Sequence, residues 1–317
     1  MTSMHEFVEE WLPGYDGTQF YTRTYAATFP KAVVLFMHGF AEHVGRYEHA
    51  HVQYPARHIT LFAFDVRGYG RTALDTEHKS RDMAYSKTSW DAQLRDIEFF
   101  GHHLAQTYPG TPLYLMGHSA GGAAVLTYFT RSSAPPSPEG TRLFKAVIAS
   151  SPCITLTHPK PRIVRWAGSK LALLRPWQLI PADVGIENIT RNQASRDAYA
   201  KDPLIKKTGS LRALDDMLTG GEKLLTDDYA KWPKDLPLLI VHGTADQVTS
   251  CDASKQFFEK VPALDKKISL YEGGYHELVQ EPDGIPDRLV NECISWIETH
   301  LPAKSPSAPG TPAEAKL

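Results

Sequence analysis

Five short and almost wholly apolar runs constrain this chain more than any other feature. They lie at residues 32–37, 59–64, 113–116, 146–149 and 238–241. A strand with one wet face alternates apolar and polar residues, whereas a continuous run reads as a strand buried on both faces. A weaker sixth run covers 268–271. Helical patterns lie between several of these runs. Residues 90–108 place Leu94, Ile97, Phe100 and Leu104 at helical spacing, and 122–130, 254–260 and 288–301 read as further helices. Strands alternating with helices predict a mostly parallel α/β sheet, flanked by helices and joined by right-handed crossovers. Residues 5–29 read instead as a hairpin at one sheet edge, with strands at 7–11 and 19–25 around the turn Pro13-Gly14-Tyr15-Asp16-Gly17.

The alternation breaks at 152–231, a stretch with no clear buried strand, pieces of helix pattern and several prolines. It is read as a helical cap inserted between core strands, over the sheet's C-terminal edge. The core is then split into 1–151 and 232–301. The Pro/Ser/Ala-rich tail, 302–317, is expected to be disordered. A net charge near −2 gives no electrostatic footprint for nucleic acid. Cys153, Cys251 and Cys293 are odd in number and widely spaced, which suits free thiols in a reducing compartment. The first residues lack the basic-then-apolar layout of a secretory signal, and no run reaches the ~20 apolar residues of a spanning helix. The expectation is a cytoplasmic protein, not secreted, at most peripheral on a membrane or lipid droplet.

Ligands of an open α/β sheet bind beyond the carboxyl ends of its strands, so reactive residues should follow the apolar runs. Three do. Ser119 follows the third run, at the apex of Gly117-His118-Ser119-Ala120-Gly121. Strand, sharp turn and helix meet there, and small residues two before and two after let the hydroxyl project. G-x-S-x-G alone would arise by chance in roughly one chain of this length in ten, so its setting carries the weight. Asp246 follows the fifth run and His276 the sixth. Ser, Asp, His is the chain order of α/β-hydrolases. A serine hydroxyl needs an imidazole to take its proton, and a carboxylate behind the imidazole fixes the tautomer. Backbone N–H groups of Phe40 and Ala120 are the candidate donors to a developing oxyanion. Taken singly, each residue has a plainer reading. Ser119 could sit in an ordinary tight turn, Asp246 could cap the following helix, and His276 could be a core histidine. His38, His118 and His242 lie in turn signatures where a structural hydrogen bond is the default, and His102-His103 reads as a solvated or half-buried pair. No His/Cys cluster has zinc spacing, so neither a metal nor a cofactor is expected.

From Cys153 to Ala182 there is no Asp or Glu. Lys160, Arg162, Arg165, Lys170 and Arg175 interleave with Ile163, Val164, Trp166, Leu171, Leu173, Leu174, Trp177 and Ile180. Contact with a membrane or lipid droplet through residues 157–180 is one reading. A cap helix burying its apolar face on the core, its basic residues merely solvated, is the other.

Four motif groups together resemble the monoglyceride lipase family of the α/β-hydrolase superfamily. They are His38-Gly39-Phe40-Ala41-Glu42-His43-Val44-Gly45-Arg46-Tyr47, Asp65-Val66-Arg67-Gly68-Tyr69-Gly70, Gly117-His118-Ser119-Ala120-Gly121-Gly122, and His242-Gly243-Thr244-Ala245-Asp246 with Tyr271-Glu272-Gly273-Gly274-Tyr275-His276. The resemblance implies an α/β-hydrolase fold and hydrolysis of monoacylglycerols to glycerol and fatty acid. It also implies an apolar tunnel for the acyl chain, and a polar glycerol pocket to which Glu42, Arg46, His118 and Tyr199 would belong. Ala41 stands where many members have glycine and Ala120 where many have methionine. Thr249 falls near a cysteine of mammalian members, with Cys251 close by. A lysophospholipase, a broad carboxylesterase, an acyltransferase, or a non-catalytic binding protein on a hydrolase fold remain the alternatives at this stage.

Overall fold

The computed structural model describes residues 7–302. It opens with the expected hairpin: β1 (Val8–Pro13) pairs antiparallel with β2 (Gln19–Tyr25), Val8 opposite Thr24 and Pro13 opposite Gln19. The apolar runs follow as β3 (Ala32–Met37), β4 (Ile59–Phe64), β5 (Leu113–His118) and β6 (Phe144–Ser150). A two-stranded pair, β7 (Leu179–Pro181) and β8 (Thr208–Ser210), comes next, then β9 (Leu238–Gly243) and β10 (Lys266–Tyr271). The main sheet has eight strands in the order β1-β2-β4-β3-β5-β6-β9-β10. Only β1–β2 and β2–β4 pair antiparallel within it.

Burial explains the apolar runs. In β3, Val33, Leu35 and Met37 join the cluster on one face of the sheet, and Ala32, Val34 and Phe36 the cluster on the other. Neither face is wet, so neither alternate set of side chains can be polar. Several strands run past the apolar residues that marked them. β5 continues through Gly117 and His118, with His118 opposite Ser150, because ladder hydrogen bonds come from the backbone. β10 lies at an edge with half-exposed residues, hence its weak sequence signal.

Two short helices, α1 (Glu48–His51) and α2 (Gly70–Leu74), precede the long α3 (Trp90–Thr107). Then come α4 (Ala120–Thr130), the single turn α5 (Pro138–Thr141), α6 (Arg162–Leu174), α7 (Gln193–Lys201) and α8 (Leu211–Thr226). Last are α9 (Cys251–Lys260) and α10 (Ile285–Thr299). α3 buries Leu94, Ile97, Phe100 and Leu104 as its spacing predicts, while His102 is exposed and His103 half-buried. α9 starts three residues before the expected position, where the Ser250 hydroxyl accepts from the Ala253 N–H and caps it. α10 likewise starts earlier, at Ile285.

The stretch between β6 and β9 carries α6, β7, α7, β8 and α8. The β7–β8 pair was not legible in the sequence, because three residues per strand leave no periodicity to read. This insert touches loops that follow core strands. Asp202 accepts from His43 Nε2 at 2.7 Å, the Glu277 N–H reaches the Ile189 carbonyl at 2.7 Å, and Leu156 bridges Thr249. All three cysteines are free and buried. No helix among the described residues is long and apolar enough to cross a membrane. Apart from Pro302, the tail lies outside the described residues.

Candidate active site

Ser119 stands between β5 and α4 in a left-handed backbone conformation, φ 54° and ψ −117°. A non-glycine residue pays for that conformation in strain, and the surroundings hold it there. The Ser119 N–H donates to Ser150 O at 2.9 Å, and its own carbonyl accepts from Ala123 and Cys153, both at 2.9 Å. Glycine at 117 and 121 is a matter of space. A Cβ at Gly117 would lie 2.4 Å from the Gly121 carbonyl oxygen, and one at Gly121 would lie 2.4 Å from the carbonyl oxygens of Met37 and His38.

The structure brings together three residues far apart in sequence. His276 Nε2 is 2.9 Å from Ser119 Oγ, and His276 Nδ1 is 2.8 Å from Asp246 Oδ2. All three are buried, with Ser119 9% exposed. Asp246 is not a helix cap, since Ser250 fills that position. Its Oδ1 accepts the N–H groups of Val248 and Thr249 at 2.7 and 2.9 Å. Its Oδ2 accepts the Thr249 hydroxyl at 2.8 Å besides His276. Burial alone would raise the Asp246 pKa, but the His276 charge and the hydrogen bonds from His242 and His276 hold it well below the usual carboxylate range. Burial alone would lower the His276 pKa, but the adjacent Asp246 carboxylate raises it above the ordinary histidine value.

The other candidate bases are occupied or neutral. His38 Nε2 accepts the Val66 N–H at 2.8 Å, so its Nδ1 carries the proton and donates to the Gly39 carbonyl at 2.8 Å. The Val66–His38 bond braces the loop after β3 against the loop after β4. His118 packs 4.9 Å from His276 between ring centroids, and burial followed by the His276 charge pushes its pKa down to about 3. It is therefore a neutral neighbour. His242 is bound within the buried network behind Asp246.

Phe40 and Ala120 line one narrow cavity beside the serine, together with Gly39, Trp90 and Met217. The Gly39 N–H is already bound to Glu42 Oε1 at 2.6 Å. Ala120 is the first residue of α4, and a helix's first N–H groups have no intrahelical acceptor. The positive end of the helix dipole lies at the same point.

A polar cluster whose Glu277 and Glu42 act on His276 lies close by. Glu42 accepts from the Tyr47 hydroxyl at 2.7 Å, and Arg46 Nε lies 3.7 Å from Glu42 Oε2. Arg46 also pairs with Glu277, and its guanidinium packs 4.7 Å from the Tyr199 ring centroid on α7. Glu42 Oε2 and Arg46 Nη1 are buried with no hydrogen-bond partner, a costly arrangement for groups of this polarity. Sequence reasoning missed Glu277, although its position directly after His276 guarantees nearness to the site. It also missed Thr249 as a donor to Asp246. The hydroxyl three residues beyond a candidate acid was the available signal. Among the described residues no group of three or more His, Cys, Asp or Glu is placed to hold a metal ion.

Residues 28–283 match the family described as serine aminopeptidase, S33. A Schizosaccharomyces pombe relative is 32% identical over 276 residues, covering 86% of this chain and 68% of its own. The human monoglyceride lipase is 26% identical, covering 94% of this chain and 93% of its own. Among solved structures, a soluble variant of Saccharomyces cerevisiae monoglyceride lipase in complex with a substrate analogue superposes with a TM-score of 0.81 at 25% identity. That match covers 96% of this chain and 97% of the yeast chain.

Proposed function

We propose, since this chain belongs to the serine aminopeptidase S33 family of α/β-hydrolases, that it is a carboxylic-ester hydrolase cleaving monoacylglycerols to glycerol and fatty acid. The observation that carries the reading is the continuous hydrogen-bonded chain Ser119–His276–Asp246. Relatives that act on this substrate by name support the substrate class.

In this reading His276 Nε2 takes the Ser119 proton as Oγ attacks the ester carbonyl. The carbonyl oxygen becomes an oxyanion, held by the N–H groups of Phe40 and Ala120. Asp246 stabilises the imidazolium and keeps its proton on Nδ1. Collapse breaks the ester C–O bond, and His276 returns the proton to the departing glycerol oxygen. Water, deprotonated by His276, then attacks the acyl-enzyme and releases the fatty acid. Glu42, Arg46, His118 and Tyr199 form the glycerol pocket, where Glu42 Oε2 and Arg46 Nη1 stand ready for substrate hydroxyls.

The insert serves as a cap in this reading, and its α6 face contacts a lipid surface. Ile163, Trp166, Leu173 and Leu174 there are each at least 60% exposed, beside Lys160, Arg162, Lys170 and Arg175. Monomeric soluble proteins rarely leave so large an apolar patch wet, and its basic rim suits anionic lipid headgroups.

A substrate panel on purified protein tests the activity, with Ser119→Ala alongside. The reading requires a monoacylglycerol to outrun the lysophosphatidylcholine and the ethyl ester of the same acyl chain. Equal rates on all three would reduce the enzyme to a broad carboxylesterase. Sedimentation with anionic vesicles tests the cap face. Trp166→Glu combined with Leu174→Glu should abolish co-sedimentation while leaving hydrolysis of a soluble short-chain ester intact.

A further inference from the structure

Behind the triad the hydrogen-bond chain continues. His242 lies in β9 and has no solvent exposure. Its Nε2 is 3.1 Å from Asp246 Oδ2 and 3.2 Å from the Thr249 carbonyl oxygen. Both neighbours only accept, so Nε2 carries a proton. Its Nδ1 is 2.9 Å from the hydroxyl of Ser254, a fully buried residue of α9. In the tautomer with its proton on Nε2, the ring offers a lone pair at Nδ1, and Ser254 donates to it. The result mirrors the catalytic arm: Ser254, His242, Asp246, His276, Ser119. Asp246 Oδ2 thus receives three donors, from His276, Thr249 and His242.

We propose that His242, its tautomer fixed by Ser254, is a positioning residue that limits how tightly His276 holds its proton. This rests on the triad roles given under Proposed function. The His242 N–H draws carboxylate charge toward itself and points the positive end of its dipole at Asp246 and, beyond it, His276. Both effects disfavour the imidazolium. A base that binds its proton too strongly is slow to return it to the leaving alcohol, so proton transfer works best with a pKa near the working pH. The groups that raise the His276 pKa are Asp246 from the loop after β9, Glu277 next in the chain and Glu42 from the loop after β3. His118, at the end of β5, packs against its ring. Changing His242 or Ser254 touches none of Glu277, Glu42 and His118, and reaches His276 only through Asp246.

The test is the pH profile of kcat/KM for a monoacylglycerol with the full-length enzyme, alongside melting temperature. His242→Phe keeps a ring but removes the donor. Its acid-limb midpoint should move up by roughly half to one pH unit, a fraction of the about 1–2 units that a lost hydrogen bond to a charged group is worth, because the bond is lost at Asp246 and felt at His276. His242→Gln, whose amide can donate to the same oxygen, should return the midpoint to the wild-type value. Ser254→Ala should give a smaller upward move and remains informative if the phenylalanine variant does not fold. A residue that merely fills space would lower the melting temperature and leave the midpoint in place. A static or falling midpoint in both His242→Phe and Ser254→Ala, or a glutamine variant that fails to restore it, overturns the proposal. The pH dependence of Ser119 labelling by a fluorophosphonate reads the same midpoint without substrate. It therefore separates failure of this proposal from failure of the monoacylglycerol assignment.

Discussion

Replacing Asp246 by Asn changes one atom, and the structure dictates where the new amide nitrogen goes. The Oδ1 position accepts two backbone N–H groups, at 2.7 and 2.9 Å. Setting NH2 there would place donors against donors and lose two hydrogen bonds, a penalty of about 2–6 kcal/mol at ~1–3 each. The nitrogen therefore takes the Oδ2 position, opposite His276 Nδ1. An amide NH2 only donates, so Nδ1 must become the acceptor and the imidazole proton shifts to Nε2. That nitrogen faces Ser119 Oγ at 2.9 Å and can no longer take its proton. The expected loss in kcat is about 10⁴-fold, the scale of a triad left with the wrong tautomer. The fold should survive, because both other donors at this position have a second acceptor. Thr249 can turn to the Ser151 carbonyl at 3.1 Å, and His242 keeps the Thr249 carbonyl at 3.2 Å. Steady-state hydrolysis of a monoacylglycerol, with circular dichroism as the folding control, checks this. A folded Asp246→Asn protein within tenfold of wild-type kcat would refute the tautomer argument. Stability should follow the same carboxylate. Its pKa is depressed in the folded protein, so its contribution is present above about pH 4 and is lost as pH falls below that. The variant's deficit in denaturant unfolding should accordingly be largest near neutrality and shrink in acid.

Ser119→Ala should lower kcat by roughly 10⁴–10⁶-fold and abolish fluorophosphonate labelling without loss of fold. Retained labelling would place the nucleophile elsewhere. Because Asp246 raises the His276 pKa, the acid limb of kcat/KM should have its midpoint above about 6.5, activity falling as pH drops through it. A midpoint well below that value would mean that burial dominates the Asp246 charge. Gly39→Ala would bring a Cβ to 2.6 Å from Glu42 Oε1 and 2.9 Å from Ser119 Cβ, and should cost at least tenfold in kcat/KM by moving the loop beside the serine. Arg46→Met should raise KM for monoacylglycerol while leaving an ethyl ester of the same acyl chain nearly unchanged, since the ester has no glycerol hydroxyls to place.

The strands were legible because a sheet covered on both faces forces continuous apolar sequence, as in Ala32–Met37 and Ile59–Phe64. Ser119, Asp246 and His276 were legible because each follows such a run, where a parallel sheet delivers its loops to one edge. The β7–β8 pair and the polar partners of the site left no comparable trace. Glu277 in contact with Arg46, Thr249 and His242 converging on Asp246, and Ser254 behind His242 are polar residues whose meaning depends on what faces them.

Local chemistry therefore settled the sheet, its hairpin edge and the turn that presents Ser119, because hydrophobic periodicity and backbone sterics act over a few residues. Only the folded chain decided which oxygen of Asp246 meets which donor, which histidine stays neutral, and that α6 keeps its apolar side chains in solvent. Those outcomes depend on distances of a few ångströms between residues as far apart in the chain as His118 and His276. Burial and charge act across that space, and linear order does not encode it.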